Sequence, residues 1–347
     1  MAMQVIIWNP PNTDVVRLSL KNKLELLSKA VTQLNHVRDG SELCALVGPD
    51  YLFFKNAPYG VDDFNAYHAK VQAIADELPQ KVLFVAGSMQ WVDQATRKLF
   101  VSALIASRGQ VLRYDKKHKA GNTEDVQGYE FEAGTASGRF QWQGFRCGLE
   151  ICQDHEEEEL KSGGPVDLHI LISYGQCGRA RHLALDTSKR GVFIQCELET
   201  PEYYADKKPG FIPESYVSLC TYDRHRMLGL VSNEARQTLT DCASTNPLIQ
   251  FKQCTVTMPA LTRRGPPPRR LNRPVWQPDS EVSRCTKCMT SFGLFTRKHH
   301  CRQCGKIFCS SCSSKTMVVV KPATKPDEQD VEQSAEAVRV CDGCANG

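Results

Sequence analysis

Residues 297–305 read Arg297-Lys298-His299-His300-Cys301-Arg302-Gln303-Cys304-Gly305. The stretch holds one C-x-x-C pair and, between Arg297 and Arg302, five groups that are cationic or become so on protonation. Three further pairs surround it: Cys285/Cys288, Cys309/Cys312 and Cys341/Cys344. A C-x-x-C pair grips one ion with two sulfurs, and two pairs close a tetrahedral structural zinc site, so eight thiols make two sites. A segment this short buries too little apolar surface to fold unaided, and the metal would supply the missing free energy. The rival reading is a disulfide framework in a secreted module. The spacing is that of metal ligands, and nothing in the chain signals export.

A rigid cluster of Arg, Lys and His suits a phosphate group, since Arg offers forked donors, Lys a point charge and protonated His a further donor. Just upstream, Phe292-Gly293-Leu294-Phe295 sets apolar side chains beside the charges, a combination suited to a membrane surface. Here the chain resembles the FYVE zinc finger family, over about residues 274–345. The motifs are the WxxD at Trp276-Gln277-Pro278-Asp279, the basic run from Arg297 to Gly305, and the RVC at Arg339-Val340-Cys341. The resemblance implies binding to phosphatidylinositol 3-phosphate in membranes. By that likeness Arg297, Lys298, His299, His300, Arg302 and Arg339 contact the lipid phosphates, with Trp276 part of the same lipid-binding motif. Asp279 bonds inositol hydroxyls, and Leu294 and Phe295 enter the bilayer. The likeness also implies two cross-braced structural Zn2+ ions, one on Cys285, Cys288, Cys309 and Cys312, the other on Cys301, Cys304, Cys341 and Cys344. A RING finger fits less well, because its His ligand follows a Cys as C-x-H, whereas these histidines precede Cys301. A nucleic-acid zinc module is the better rival, because Arg263, Arg264, Arg269, Arg270 and Arg273 lie just upstream. That Pro-rich stretch reads either as a stiff solvated linker or as an auxiliary contact with anionic lipid or RNA. The insert between Cys312 and Cys341 has no clear pattern and is expected as an exposed loop.

At 347 residues the chain has room for two or three domains. The organisation expected is a large domain over 1–260, a basic Pro-rich linker over 261–273 and the finger over 274–347. The formal charge of +4 is mild, so no nucleic-acid partner is expected. Met1-Ala2-Met3-Gln4-Val5-Ile6-Ile7-Trp8 lacks the layout of a signal peptide, and no run approaches the roughly 20 apolar residues of a membrane span. The other eight cysteines are scattered, as in a reduced cytosolic protein. The location expected is cytoplasmic, peripheral on the cytosolic face of endosomal membranes. The lipid belongs to eukaryotic endosomes, so the source is a eukaryote or a bacterial effector in a host cell.

Residues 1–260 alternate strand and helix character. Val5 to Trp8, Leu43 to Val47, Val82 to Ala86, Leu99 to Ala106, Val111 to Tyr114, Phe145 to Cys152, Val166 to Ser173 and Val192 to Cys196 read as strands. Leu20, Leu24, Leu27, Val31 and Leu34 line one face of a helix, and residues 62–78 and 178–190 suit two more. Further strands are expected over 214–258, and Arg108-Gly109 is a hairpin turn. His155 with Glu156-Glu157-Glu158-Glu159 reads as a solvated acidic helix start. This is an α/β pattern with buried sheets, in which reactive groups gather at strand ends. Asp50, Lys116 and Cys152 each follow such an end, and a thiol, an amine and a carboxylate make a nucleophile, a charge stabiliser and a base.

This region resembles the nitrilase (carbon–nitrogen hydrolase) superfamily over about residues 3–258. Gly148-Leu149-Glu150-Ile151-Cys152-Gln153-Asp154 is similar to the family's G-x-x-I-C-x-D segment. Tyr114-Asp115-Lys116-Lys117-His118 matches its Y-x-K-x-H motif, and Phe131-Glu132-Ala133-Gly134 its f-x-x-G turn. The resemblance implies an αββα sandwich, dimerised in many members through further sandwich faces, and a Glu–Lys–Cys site with a second glutamate, for which Glu130 is the candidate. It departs at the base: Gly48-Pro49-Asp50-Tyr51 carries aspartate where the family has glutamate, which retracts the carboxylate by roughly 1 Å, enough to cost about 100-fold in rate. A backbone shift that compensates and a loss of activity are both open.

The expectation is therefore a nitrilase-like αββα sandwich followed by a small two-zinc FYVE-type finger. Its function would be a phosphatidylinositol 3-phosphate-binding peripheral membrane protein with a Cys-dependent amide or nitrile hydrolase domain. The alternative is a nitrilase-fold scaffold without catalysis. Beyond two Zn2+, no organic cofactor is expected.

Overall fold

Val5-Ile6-Ile7-Trp8 has apolar side chains on both sides, as a strand covered on both faces must. In the computed structural model it lies in β1 (Ala2–Trp8) with none of the four exposed. Val5 and Ile7 join one apolar core, Ile6 and Trp8 another. The structure describes residues 1–55, 57–185, 191–198, 214–220, 236–244, 246–259, 269–270, 276–293, 296–302, 304–320, 335–342 and 344. The chain divides into two units, Met1–Ala260 and Leu261–Gly347.

In the first unit, α1 (Asn12–Val16) and α2 (Leu20–Val37) follow β1, and β2 (Leu43–Val47) lies parallel beside it. Then come α3 (Val61–Glu77), β3 (Val82–Asp93), β4 (Lys98–Ser107), β5 (Gln110–Asp115) and the short β6 (Glu130–Phe131). A second run gives β7 (Arg139–Trp142), β8 (Phe145–Ile151), α4 (Gln153–Glu156), α5 (Glu159–Ser162), β9 (Leu168–Ser173), β10 (Gly191–Glu197) and β11 (Tyr216–Cys220). The chain then returns through β12 (Thr240–Asp241) to β13 (Phe251–Thr257). Two sheets result, in the orders β12-β13-β1-β2-β3-β4-β5, with β6 on β4, and β11-β10-β9-β8-β7.

Alternation along the strands stacks them. Val5, Ile7, Ala45 and Val47 of the larger sheet share a core with Leu149, Ile151, Ile170 and Ile194 of the smaller one. On the larger sheet's other face, Leu46 and Phe84 pack under Leu27 and Leu34 of α2 and Tyr67 and Val71 of α3. Full burial of one Leu contributes about 1.5–3 kcal/mol, so that face alone holds both helices down. The smaller sheet's outer face carries less helix than expected. Among the described residues of 178–190 there is only a 3-10 turn at Ala180–His182. A helix would use the N–H of Ala184, which instead donates to His169 Nδ1, and upstream Gly178 donates to Gln195 Oε1 and Arg179 to His155 Nε2.

The second unit is small. β15 (His299–His300) pairs antiparallel with β16 (Ile307–Phe308), and β17 (Lys315–Val320) with β18 (Ala335–Val340). The ends of the insert expected as a loop thus form a ladder, driven by the β-branched run Val318-Val319-Val320. β14 (Arg269–Arg270), inside the stretch expected as linker, adds a parallel edge strand opposite Val319 and Val320.

Candidate functional site

Asp50, Lys116 and Cys152 stand just beyond the C-terminal ends of β2, β5 and β8, and all three are buried. They are close enough that each perturbs the others' ionisation. Cys152 has φ 48° and ψ −104°, a strained backbone for a residue with a Cβ. Its N–H donates to Ile172 O at 2.9 Å, and its carbonyl accepts the N–H of His155 at 3.0 Å, which holds the sharp turn between strand and helix. Burial pushes the thiol up to about 12 against the opposing pull of Lys116. Burial alone would lower the Lys116 ammonium, but Cys152, Glu124 and Asp50 together raise it, so it stays charged. Burial pushes Asp50 up to about 6, with Lys116 and the Ser88 hydroxyl pulling the other way.

Lys116 is set by its backbone. Its N–H donates to Val101 O at 2.8 Å and its carbonyl accepts Gly134 N–H at 3.0 Å. A Cβ on Gly134 would lie 2.0 Å from Asp115 O, so that approach requires glycine. Asp154 fastens the lysine loop to the cysteine turn: Oδ1 accepts the N–H groups of Lys117 and His118 at 3.0 and 2.8 Å, and Oδ2 the Tyr114 hydroxyl at 2.8 Å.

Glu130 does not join this cluster. Its side chain is 77% exposed on β6 and pairs with Lys98 at 2.7 Å, because alternation along that strand turns it to solvent. The carboxylate beside Lys116 is Glu124. Glu124 Oε1 accepts Lys116 Nζ and the Tyr51 hydroxyl, each at 2.5 Å, and Oε2 accepts Ala120 N–H at 2.6 Å. Glu124, Asp125 and Glu130 all follow the lysine in sequence, and no periodicity separates them.

A second cluster lies beneath the turn. Glu150 Oε2 accepts His155 Nδ1–H at 2.7 Å and His169 Nε2–H at 2.8 Å, with all three residues fully buried. His155 is thus not the solvated helix start expected from the acidic run. Three ligand-type atoms meet here, yet the remaining nitrogens, His155 Nε2 and His169 Nδ1, accept backbone N–H groups. Both rings therefore direct their protons at Glu150, leaving no lone pair there for a metal. Burial would raise Glu150, but His169 and His155 outweigh it and hold the carboxyl at about 2.

In the second unit, the sulfurs of Cys285, Cys288, Cys309 and Cys312 form one group and those of Cys301, Cys304, Cys341 and Cys344 another, each within 4.8 Å. Four thiols at that spacing fit a tetrahedral zinc ion, at roughly 2.3 Å per Zn–S bond. The basic residues gather beside them. Trp276 packs at a tilt of 40° against the His300 ring, centroids 4.4 Å apart, with the Arg302 guanidinium 4.7 Å from the indole ring centre. Lys298 Nζ donates to Asp279 O at 2.5 Å, His300 Nε2 lies 2.8 Å from Gln277 O, and Arg302 N–H donates to Arg339 O at 3.0 Å. Arg297, Arg302 and Arg339 are exposed. Burial, then Arg339 and Arg297, hold His299 below its ordinary value, as crowded cations do. Leu294 and Phe295 lie outside the described residues.

Residues 275–347 match the family model of the FYVE zinc finger. Early endosome antigen 1 of Homo sapiens is 43% identical over 76 residues, which are 22% of this chain and 4% of that protein. The 1-phosphatidylinositol-3-phosphate 5-kinase FAB1A of Arabidopsis thaliana is 34% identical over 74 residues, 21% of this chain and 4% of that one. The chain spans a tenth or less of the length of the curated relatives it matches. Among solved structures, a mutant of the Nesterenkonia AN1 amidase, from the nitrilase superfamily, aligns over 74% of this chain and 90% of its own at 14% identity, with a TM-score of 0.47.

Proposed function

We propose that this chain, whose residues 275–347 form a FYVE zinc finger, binds phosphatidylinositol 3-phosphate at endosomal membranes and carries a cysteine-dependent amide or nitrile hydrolase in residues 1–260. Zinc holds the finger's backbone, and the exposed cations beside the two thiol groups meet the lipid phosphates. No helix among the described residues is long and apolar enough to cross a membrane, and the finger attaches the chain from the surface. A homodimer through the sandwich faces belongs to the same reading.

One observation supports the hydrolase half most: Asp50, Lys116 and Cys152, far apart in sequence, meet in one buried cluster with Glu124. Asp50 takes the thiol proton as Sγ attacks the amide carbon, and Lys116 stabilises the charge that develops on oxygen. Asp50 passes that proton to the leaving amine, then removes one from the water that cleaves the thioester, and Cys152 leaves with its proton restored. Glu124 keeps Lys116 charged and in place.

A second reading, a sandwich without catalysis, draws support from the depth of Cys152 and its raised thiol. Labelling of Cys152 by amide- and nitrile-bearing thiol probes decides between them. Labelling lost in Cys152→Ala and Asp50→Asn supports the enzyme, and a broad panel that never reaches Cys152 leaves the scaffold. The lipid half is checked on liposomes: preference for the 3-phosphate over other phosphoinositides is expected, and equal binding to all of them would refute it.

A further inference from the structure

We infer that Ser88 is a positioning residue that lets the short side chain of Asp50 act as base toward Cys152, an inference that rests on the hydrolase reading above. The resemblance to carbon–nitrogen hydrolases implies glutamate where this chain has aspartate, so how the shorter carboxylate is held and ionised bears on its use as a base. The neighbouring strand supplies the group that holds it.

Pairing of β3 with β4 shifts register between Val85 and Ser88, a bulge at Ala86-Gly87. Gly87 sits at φ +81°, and a Cβ there would come within 2.7 Å of Pro49 O and 2.9 Å of Leu52 Cβ. Only glycine admits that approach, and it brings β3 against the turn that carries Asp50. Ser88, fully buried, is the next residue. Its Oγ donates to Asp50 Oδ1 and accepts Tyr51 N–H at 2.8 Å, while Asp50 Oδ1 also accepts Tyr51 N–H at 3.0 Å. One carboxylate oxygen is thereby engaged. The other, Oδ2, is buried with no hydrogen-bond partner among the described residues, and is the oxygen left for a thiol proton.

The groups whose charge reaches Asp50 are Lys116, Glu124, Cys152, Glu197 and the Tyr51 hydroxyl. Against that set, the Ser88 hydrogen bond favours the ionised carboxylate and lowers the pH at which it forms. A serine that only filled space would not move this property.

The experiment is the pH dependence of Cys152 alkylation by iodoacetamide in the full chain, read peptide by peptide by mass spectrometry. The acid limb reports the base. Ser88→Ala is expected to move its midpoint upward by about half to one pH unit, or about three- to tenfold slower alkylation at a fixed pH on that limb. Ser88→Thr, which keeps the hydroxyl, restores the midpoint. Ser88→Cys, a near-isostere with a weaker donor, shows the same direction of shift if Ser88→Ala does not fold. An unchanged midpoint with Cys152 still alkylated overturns the role of Ser88 alone, as does a shift that Ser88→Thr does not reverse. Absence of Cys152 alkylation at any pH in the native chain overturns the hydrolase reading and this inference with it.

Discussion

At the scale of single residues, the candidate site turns on which of two nearby glutamates meets the lysine. Glu124 and Lys116 are both fully buried, so removing one partner leaves an uncompensated charge. Glu124→Gln should therefore cost about 3–5 kcal/mol in urea unfolding and slow Cys152 labelling. Glu130→Gln, on the surface, should leave both unfolding midpoint and labelling unchanged. A loss of labelling in Glu130→Gln without loss in Glu124→Gln would reverse the assignment. Asp50, Lys116 and Cys152 could be picked out as candidates because each follows a recognisable strand end, and the last two lie in stretches that resemble carbon–nitrogen hydrolase motifs. Glu124 could not, since the turn that buries it is held by Tyr51 and Lys116, which no local pattern reveals.

At the scale of elements, β8, β9 and the turn into α4 are tied by Glu150, His169 and His155. The Glu150 carboxyl is held down at about 2, and burial, with His155 and Arg139 against Glu150, holds His169 below its ordinary value. Below about pH 6.5 the unfolded chain takes up a proton on His169 that the folded one does not. Below about 4.5 the same holds for Glu150, until its folded value is reached. Both groups stabilise at neutral pH and lose that contribution as pH falls. For Glu150 the loss is roughly 3 kcal/mol, at 1.36 kcal/mol per pH unit. Asp50 and Glu197, whose carboxyls burial raises, act in the opposite sense between pH 6.5 and 4.5, so the contribution of the cluster is read as the difference in urea midpoint between the native chain and Glu150→Gln as pH falls. Glu150→Gln should start lower at pH 7 and show a flatter fall; parallel slopes in the two proteins would remove the cluster as the cause. Over 178–185, the described part of the helix expected near 178–190, no α-helix forms. Helical periodicity cannot foresee that His169 takes the N–H of Ala184, or that Gln195 and His155 take those of Gly178 and Arg179.

At the scale of the whole molecule, the two units rest on different sources of stability. Zinc should be present at two ions per chain, and a chelator should unfold 274–345 while leaving the sandwich protected from proteolysis. Pure folded protein without zinc would contradict this. Leu294 and Phe295, changed together to Ala, should weaken liposome binding more than tenfold, since each contributes about 1.5–3 kcal/mol on burial in lipid. They should leave affinity for a short-chain soluble lipid intact; an equal loss there would make the pair part of the finger's own core. The sequence by itself determined the finger, because metal ligation depends on residue type and short spacing that four C-x-x-C pairs display directly. It also determined the strand and helix order of most of residues 1–200, because burial on both faces or one leaves a periodic apolar record. Only the tertiary structure decided which carboxylates surround Lys116, that Ser88 reaches Asp50 across a bulge, and that two histidines lie buried on Glu150. Those contacts join residues distant in sequence, Ser88 and Asp50 being 38 positions apart, and such pairing depends on sheet register, which local sequence does not encode.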